Sequence, residues 1–277
     1  MSSLARAQNF KQKCRLFTYA DINLYDSRRH TNKSVLFSTK KPKNIISSKS
    51  YFKIGSWNVR TLHWTRESDY TYNNDNSPPN DKRPMLVNEA KRMKLDVICL
   101  QETRILGQDS IQINGYDIYW SGHSQKHQAG VAIMVKEYLV KYIVEVQCLS
   151  DRIMAISFLK KGQYSTIISA YAPTNTYEIE HKMLFYDQLN KLTANIPKYY
   201  KLFVCGDYNA RVGRTKLHDS EDQWHGTLGN YGIGKVNENG ILFLEYWTQN
   251  DLRISNIFQT QASWNLETPK KLKRAST

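Results

Sequence analysis

Hydrophobic and polar positions divide the chain into two parts with different patterns. Residues 1–50 show no sustained apolar periodicity and are rich in Ser, Asn and Lys. From residue 51 to residue 277, short runs of β-branched and aromatic residues alternate with turn residues, a pattern that indicates β-strands. The first part therefore predicts a disordered N-terminal arm over 1–50, and the second predicts a folded domain over 51–277.

The folded part is predicted to combine strands with a smaller number of helices. Residues 84–94, 177–195 and 238–249 carry apolar residues three and four positions apart, which predicts helices, and Pro84 suits the first turn of the earliest one. A short loop, Lys161-Gly162-Gln163, predicts a hairpin. Hairpins mixed with helices favour an α/β fold of two packed mixed sheets flanked by helices. The predicted strands are Tyr51–Trp57, Leu95–Leu100, Tyr116–Trp120, Gly130–Val135, Lys141–Cys148, Arg152–Lys160, Tyr164–Tyr171, Tyr200–Cys205 and Leu252–Asn256.

The charge of the chain points to a polyanionic partner. The formal net charge is +14, and residues 1–50 alone hold eleven Lys or Arg against two acids. Basic side chains that approach phosphates release counterions and steer association, so nucleic acid is the first partner to consider. A protein whose charge resides only in solvated basic tails stays an open alternative.

No feature of the sequence marks the chain for a membrane or for export. No apolar run reaches the length that a bilayer requires, and no hydrophobic segment follows the first residues. The four cysteines form no Cys-x-x-Cys pair, which argues against zinc-ribbon or thioredoxin-like chemistry. We therefore expect an intracellular monomer without a disulfide-linked partner. The basic cluster at 270–274 suits a nuclear address, which favours a nuclear location, and a phosphate contact or a solvated tail are the alternatives for it. The acid-free stretch over 1–20 leaves a mitochondrial presequence as the alternative.

Polar side chains follow several predicted strands at the point where each strand ends. Asn58 follows the first predicted strand, Glu102 the second, and Tyr171 ends a later one. Asp207 and Asn209 follow the strand Tyr200–Cys205, and alternation along an extended chain turns both side chains to the same side. We expect one cleft rim to collect all five side chains.

The five side chains form a coherent set for phosphodiester hydrolysis. A hard oxygen ligand such as Glu102 suits Mg²⁺, which keeps several waters and binds one or two carboxylates plus a substrate phosphate. Asp207 fits the alignment and deprotonation of an attacking water. Asn58 and Asn209 would orient ligands and phosphoryl oxygens, and the Tyr171 hydroxyl would donate to the charge that develops on phosphorus. Taken singly, each motif is more often a turn, a cap or a solvated strand end.

Four segments, taken together, resemble one family. Their sequences and their order are similar to the motifs of the endonuclease/exonuclease/phosphatase superfamily. They are most similar to non-LTR retrotransposon endonuclease domains and to craniofacial development protein 2-like proteins. The resemblance runs from about residue 51 to the end of the chain. The segments are Ser-Trp-Asn-Val-Arg-Thr-Leu (56–62), Gln-Glu-Thr-Arg (101–104), Ala-Tyr-Ala-Pro-Thr (170–174) and Gly-Asp-Tyr-Asn-Ala-Arg-Val-Gly (206–213).

The resemblance implies a four-layered α/β sandwich that acts on DNA with Mg²⁺, or with Mn²⁺ in its place, at one edge of two packed sheets. It implies that Glu102 is a metal ligand and that Asn58 contacts the metal site or the phosphate. It implies that Asp207 aligns the attacking water with Asn209 as its partner. Tyr171 matches the transition-state donor of the family.

Substrate-binding residues are predicted on two grounds. Asn256 matches a family asparagine near the substrate groove, and Trp264 resembles an aromatic residue of a late strand. Arg60, Arg104 and Arg211 follow three of the four motifs and are predicted to contact the DNA backbone. Solvated loop charge is the alternative for these three arginines.

The end of the chain departs from the family pattern. Family members finish with an Asp that orients a His and with a terminal Ser-Asp-His segment, whereas the last histidine here is His225. We therefore expect a C-terminally truncated domain whose last strands are missing. Three functions stay open. The first is a metal-dependent DNA endonuclease of retrotransposon type, active or inactivated by the loss of that segment. The others are a non-catalytic nucleic-acid-binding relic and a phosphatase or phosphodiesterase of the same superfamily.

Overall fold

The structure, a computed structural model, describes residues 17–22, 52–62, 82–213, 224, 227 and 234–254. Six strands in these residues form a first sheet: β1 (Phe17–Ile22), β2 (Phe52–Asn58), β3 (Val97–Gln101), β4 (Gln108–Ile113), β5 (Tyr116–Ser121) and β6 (Val131–Lys136). Their order is β1-β2-β3-β6-β5-β4. The sheet is mixed, because β2 and β3 run parallel while the other neighbouring strands are antiparallel.

Four further strands form a second mixed sheet. They are β7 (Ile143–Ser150), β8 (Ile153–Lys160), β9 (Gln163–Tyr171) and β10 (Lys201–Asp207), in the order β10-β9-β8-β7. β10 runs parallel to β9, and the other two pairs are antiparallel. The helices are α1 (Arg83–Arg92), α2 (Glu137–Val140), α3 (Ile179–Asn195) and α4 (Glu238–Gln249).

The chain forms two compact units. The first unit comprises residues 1–172 and 194–208, and it holds both sheets together with α1 and α2. The second unit comprises residues 173–193 and 209–277, and it holds α4 and nearly all of α3. Within the second unit, the Tyr186 and Tyr246 rings lie 5.9 Å apart and Asn250 donates a hydrogen bond of 2.7 Å to Asn190. These contacts join α3 to the end of α4.

The two sheets of the first unit pack face to face. Buried residues of β3 and β6, such as Val97 and Ile133, share one apolar cluster with Met154 and Ile156 of β8 and with Ile167 of β9. Full burial of each such side chain contributes about 1.5–3 kcal/mol, so this interface is the main source of cohesion between the sheets.

Helix α1 covers the outer face of the first sheet. Its Leu86, Val87 and Ala90 are buried in a second apolar cluster with Ile98 of β3 and Met134 of β6. Pro84 lies in the first turn of α1, where the missing N–H breaks no helical hydrogen bond. Two packed mixed sheets with a helix on the outer face confirm the predicted α/β sandwich.

Two parallel strand pairs determine where the polar side chains lie. The carboxyl ends of two parallel strands meet at the same edge of a sheet, and here Asn58 of β2 is in register with Gln101 of β3. In the second sheet Asp207 of β10 is in register with Tyr171 of β9. The first sheet therefore carries Asn58 and the start of the Glu102 loop, and the second sheet carries Asp207 and Tyr171.

Several local predictions differ from the structure. The hairpin between β8 and β9 is confirmed, but its turn is Lys161-Gly162 alone, with φ of 52° and 74°, the positive values of a two-residue type I′ turn. β1 lies inside the segment 1–50, for which the sequence predicted no element. The described part of the predicted strand Leu252–Asn256, residues 252–254, is not a strand. β4 was also not predicted, because its Gln-Asp-Ser-Ile-Gln-Ile sequence lies at a sheet edge and is mostly exposed.

The helices and the cysteines of the described residues bear on membrane insertion and on disulfide bonding. Among the described residues, no helix combines the length and the apolar character that crossing a bilayer requires. The cysteines in this part of the chain, Cys99, Cys148 and Cys205, are free thiols.

Candidate active site

Glu102 lies in a loop whose backbone is held in an uncommon conformation. Its φ is 55°, and Arg60 and Thr61 on the neighbouring loop have φ of 43° and 83°. Such left-handed values cost of order 1–3 kcal/mol for residues other than glycine and persist only when neighbouring bonds enforce them. Thr61 N–H donates to the Glu102 carbonyl at 2.7 Å, and Leu62 N–H donates to the Thr103 carbonyl at 2.9 Å. The two loops therefore hold each other in place and fix the position of Glu102.

Asp207 reaches the same region because a glycine precedes it. A Cβ atom on Gly206 would lie 2.1 Å from the carbonyl oxygen of Ala170 on the adjacent strand β9. Only glycine permits this close approach of the two backbones. Beyond Gly206, the Asp207 carbonyl accepts a hydrogen bond of 3.0 Å from Ala172 N–H. The Gly-Asp pair of the sequence motif thus has a steric explanation.

The Asn58 side chain joins the two carboxylates. Its Nδ2 donates to Glu102 Oε1 at 2.8 Å and to Asp207 Oδ2 at 2.9 Å, residues 44 and 149 positions away along the chain. Its Oδ1 accepts from the Arg60 N–H at 3.0 Å, a bond that fixes which end of the amide faces the carboxylates. Because one nitrogen bonds both acids, their oxygens lie within two hydrogen-bond lengths of each other. The structure therefore brings together three of the five side chains that the sequence predicts at one cleft rim.

Tyr171 completes this group. Its hydroxyl donates to Glu102 Oε1 at 2.9 Å, and its side chain is buried. Burial, followed by the charge and the hydrogen bond of Glu102, raises the pKa of the Tyr171 phenol well above its ordinary value. The phenol therefore keeps its proton and acts as a donor throughout the physiological pH range.

Arg152 is a cation of this site that the sequence reasoning missed. Its guanidinium carbon lies 5.2 Å from the centre of the Tyr171 ring, and its Nη1 donates to the Tyr171 carbonyl at 3.2 Å. Its charge opposes the other influences by lowering the pKa of the Tyr171 phenol. Tyr171 N–H donates a hydrogen bond of 2.8 Å to the Arg152 carbonyl. In the sequence, Arg152 is visible only as a basic residue at the start of an otherwise apolar run.

Gln101, the residue before Glu102 in the chain, belongs to a buried polar layer between the two sheets. Gln101 is 1% exposed, and its Nε2 donates to Ser169 Oγ at 3.2 Å while its Oε1 accepts from Ser56 Oγ at 3.3 Å. Ser169 Oγ also lies 3.3 Å from the Leu100 carbonyl. These bonds connect β2 and β3 of the first sheet to β9 of the second, so they set the distance between the two sheets next to the carboxylates.

Arg104 is the predicted phosphate contact that the structure places next to a carboxylate. Its Nη2 lies 4.0 Å from Glu102 Oε2, and its side chain is 48% exposed. Its φ of 55° and the bond from its N–H to the Ala129 carbonyl, 3.0 Å, hold the loop beside Gly130. An exposed guanidinium beside the acids can meet an incoming phosphate. Arg60 contributes the backbone N–H that orients Asn58, and its predicted contact with DNA stays a prediction.

The remaining predicted residues lie in the second unit or outside the described residues. The Asn209 carbonyl accepts hydrogen bonds of 3.4 Å from the amides of Asn237 and Asn239. Asn237 Oδ1 accepts from the Arg211 N–H at 2.8 Å while it caps α4. The Asn-Glu-Asn-Gly segment thus fixes the loop of Asn209 and Arg211, whose roles stay predictions. Asn256 and Trp264 lie outside the described residues.

The donor set is compatible with a hard divalent cation. Within the described part of the chain, no group of three or more His, Cys, Asp or Glu forms a cluster. A pair of carboxylates is nevertheless the usual protein contribution to Mg²⁺, which completes its shell with waters and substrate phosphate. Glu102 Oε1 already accepts bonds from Asn58 and Tyr171, so Oε2 is the oxygen better placed to bind a cation. The Asn58 nitrogen faces the acids, and its predicted role as a metal ligand stays a prediction.

Comparisons with known proteins identify relatives by sequence and by structure. Craniofacial development protein 2 from Bos taurus is 28% identical over 220 residues, which cover 79% of this chain and 33% of that protein. The exodeoxyribonuclease of Bacillus subtilis (strain 168) is 25% identical over 166 residues, or 57% of this chain and 58% of that protein. The chain therefore spans a third of the length of the first relative. The solved endonuclease domain of TRAS1, a telomere-specific non-LTR retrotransposon, is 17% identical with a TM-score of 0.39, covering 60% of this chain and 63% of that domain.

A family profile covers most of the chain. The profile described as the Endonuclease/Exonuclease/phosphatase family matches residues 55–254. This range contains Asn58, Glu102, Tyr171 and Asp207, together with the end of β2 and all of β3, β9 and β10. The chain belongs to the Endonuclease/Exonuclease/phosphatase family.

Proposed function

We propose that this domain hydrolyses phosphodiester bonds of DNA with the help of Mg²⁺ or Mn²⁺, as an endonuclease of the retrotransposon type. The observation that carries the proposal is the Asn58 amide that holds Glu102 and Asp207 together at 2.8 and 2.9 Å. Two carboxylates far apart in sequence converge on one donor. That arrangement suits the binding of a cation and the activation of a water at the same place.

Each side chain has a role in this proposal. Asp207 aligns a water and accepts its proton as the water oxygen attacks phosphorus and the bond to the leaving oxygen breaks. Glu102 would hold a divalent cation through Oε2, and that cation supplies charge stabilisation at the phosphate. The Tyr171 hydroxyl, which bonds Glu102 at 2.9 Å, stands ready to donate to charge that develops on the phosphoryl oxygens. Asn58 keeps the two acids at a fixed separation throughout.

The preference for DNA rests on charge and on kinship. The formal net charge of +14 favours a polyanionic substrate, and Arg104 offers an exposed guanidinium beside Glu102. A relative from Bacillus subtilis is named an exodeoxyribonuclease, and that name describes an enzyme that acts on DNA. A DNA substrate also agrees with a nuclear location, for which the basic cluster at 270–274 is the sequence signal.

Nicking of supercoiled plasmid tests the proposal. We expect Mg²⁺ to support conversion to the open circular form and EDTA to abolish it. Glu102→Gln and Asp207→Asn remove one charge each from the site, and each should lower the nicking rate by at least about 10²-fold. Glu245→Gln, an exposed acid of α4, is the matched control and should nick at the parent rate.

Two alternatives have distinct outcomes in the same experiment. Plasmid that stays supercoiled at every Mg²⁺ and Mn²⁺ concentration, with a folded protein that still binds DNA, would identify a binder without catalysis. Phosphate release from small phosphomonoesters that depends on Glu102, without nicking, would identify a phosphatase. Either outcome would overturn the endonuclease assignment.

A further inference from the structure

The loop that follows β2 presents two successive carbonyl oxygens to one cation. Its residues Arg60 and Thr61 have φ of 43° and 83°, both in the left-handed region. Such a value is a clear outlier for a β-branched residue such as Thr61, because its side chain crowds the backbone there. The Lys82 ammonium group donates to the Thr61 carbonyl at 2.7 Å and to the Arg60 carbonyl at 3.4 Å. Two peptide groups in an uncommon conformation therefore converge on a single lysine.

The contact between Lys82 and Thr61 is strong for its type. A hydrogen bond from an ionised donor is shorter and roughly twice as strong as one between neutral groups, and 2.7 Å is at the short end of that range. Lys82 is partly buried, so water and salt screen its charge less than on an open surface. Loss of the ammonium group would remove a donor from both carbonyls at once, and the left-handed backbone would lose a contact that enforces it.

The same two residues hold the candidate active site through their N–H groups. Arg60 N–H donates to Asn58 Oδ1 at 3.0 Å, and Thr61 N–H donates to the Glu102 carbonyl at 2.7 Å. These bonds orient the Asn58 amide and fix the loop that carries the Glu102 carboxylate. Lys82 binds the carbonyls of the residues that make these bonds, so its influence on Asn58 and Glu102 passes through their backbone.

A lysine at position 82 is unfavourable for helix α1 itself. Lys82 is the N-cap residue of α1, its side chain makes no capping bond, and the first turn contains no acid. N-cap positions favour Ser, Thr, Asp or Asn, and the positive end of the helix dipole disfavours a cation. Arg83, the first residue of α1, adds a second cation at that end. A residue that conflicts with its own helix indicates a role elsewhere, and the contact with the loop provides one.

We propose that Lys82 is a positioning residue that sets the arrangement of Asn58 and Glu102 through the carbonyls of Arg60 and Thr61. The inference rests on the proposed function, because the arrangement of these side chains affects a rate only if they belong to a hydrolytic site. Lys82 lies outside the four sequence motifs, so it makes the start of α1 part of the support of the site. A lysine that only attracted DNA by its charge would change the affinity for the substrate and not the turnover.

Plasmid nicking kinetics with the full chain in Mg²⁺ separate positioning from attraction of the substrate. Lys82→Met removes the ammonium group and keeps an apolar stem of similar length. We expect kcat to fall by about 10–10²-fold while KM stays nearly constant, because displacement of a catalytic group by about 1 Å can cost about 10²-fold. Lys82→Arg retains a cation that can donate to both carbonyls, and it should recover most of the parent kcat. Lys91→Met makes the same change of charge at an exposed position of α1 and should nick at the parent rate.

Amide hydrogen exchange, measured by NMR on the full chain without metal or DNA, tests the loop directly. The amides of Thr61 and Leu62 donate to carbonyls of the Glu102 loop, and they should exchange about tenfold faster in Lys82→Met than in the parent protein. In Lys82→Arg they should exchange at nearly the parent rate. Each rate is compared with those of the buried strand β8, which report the stability of the first unit as a whole, so a general loss of stability is distinguished from a loosened loop.

Two results would overturn the proposal. One is a Lys82→Met protein in which the Thr61 and Leu62 amides exchange at the parent rate relative to β8. The other is a rise in KM with an unchanged kcat, which would identify Lys82 as a contact of the DNA. Failure of the proposed function is a separate outcome: a parent protein that does not nick refutes that function, while the exchange experiment still decides whether Lys82 holds the loop. If the parent protein nicks and Lys82→Met nicks equally fast, the positioning role fails and the proposed function stands.

Discussion

The hydroxyl of Tyr171 donates a hydrogen bond of 2.9 Å to Oε1 of Glu102. This bond leaves the phenol protonated and adjacent to the acid that would hold a cation. Tyr171→Phe keeps the ring under Arg152 but removes the donor. We expect the nicking rate to fall by about 10²-fold, as for the loss of one donor to a developing negative charge. Initial rates on supercoiled plasmid would show this, and an unchanged rate would exclude Tyr171 from the chemistry.

The Asn58 bridge makes a prediction about metal and stability together. Asn58→Leu removes the donor between two carboxylates, and we expect it to lower the unfolding free energy in EDTA by about 1–3 kcal/mol. A divalent cation can replace the lost donor, so Mg²⁺ should raise the melting temperature of Asn58→Leu more than that of the parent protein. Differential scanning fluorimetry with and without Mg²⁺ provides the measurement.

Asn190→Leu is the matched control for this prediction. Its amide accepts a hydrogen bond of 2.7 Å from Asn250 in the second unit, where no pair of acids depends on it. It should lose stability without gaining sensitivity to Mg²⁺. An equal Mg²⁺ response of both variants would contradict the assignment of the cation to Glu102 and Asp207.

The contact of Gly206 with Ala170 predicts a large effect of a single methyl group. In Gly206→Ala the new Cβ would meet the Ala170 carbonyl oxygen at 2.1 Å, so β10 must shift away from β9. We expect a loss of about 1–3 kcal/mol in urea unfolding, together with loss of nicking because Asp207 moves with the strand. Gly162→Ala is the comparison variant, because its new Cβ would meet no atom within 4 Å while its φ is 74°. It therefore introduces backbone strain without a steric clash. A Gly206→Ala protein with normal nicking would refute the steric argument.

Tyr116 predicts a loss of stability in alkaline solution. Burial, followed by the charge of Asp96, raises the pKa of Tyr116 to about 12, and its hydroxyl donates to the Leu95 carbonyl at 2.7 Å. The folded state therefore keeps a proton that the unfolded chain releases near pH ~10. The stabilisation is fully present below that pH and is lost as the pH rises through about 12.

Tyr116→Phe tests this pH dependence. At neutral pH the variant should be less stable by about 1–3 kcal/mol, because the buried Leu95 carbonyl loses its donor. Its unfolding free energy should decline less steeply than that of the parent protein as the pH rises from the ordinary tyrosine pKa through the raised one. Urea titrations at a series of alkaline pH values would reveal the difference, and parallel declines would contradict it.

The sequence identified the acids but only part of their environment. Asn58, Glu102, Tyr171 and Asp207 were predictable, because each follows an apolar run and parallel strands bring such ends together. Arg152 was not, because a charged residue before a strand has no sequence property that points to the Tyr171 ring. Such contacts depend on how the strands are ordered in the sheets, and local patterns do not encode that order.

Polar residues within apolar strands were a second missed signal. Gln101 and Ser169 interrupt buried strands, and the structure pairs them across the two sheets at 3.2 Å. A buried amide needs hydrogen-bond partners, so Gln101 within an apolar strand predicted a buried hydrogen bond. The sequence did not indicate which residue would be the partner. β4 was missed for the opposite reason, since an exposed edge strand lacks the apolar alternation by which strands are recognised.

The two carboxylates of the candidate site come from different sheets, so the site depends on how the sheets are aligned. Glu102 follows a strand of the first sheet and Asp207 ends a strand of the second, and Asn58 alone among the hydrogen bonds described links the pair. Neither half of the sandwich holds a complete pair of acids, so sliding one half over the other by a single residue step would dismantle the site without unfolding a strand. Catalytic turnover would thus report on the alignment of the two halves, and a variant that loosens their interface should lose activity before it loses secondary structure.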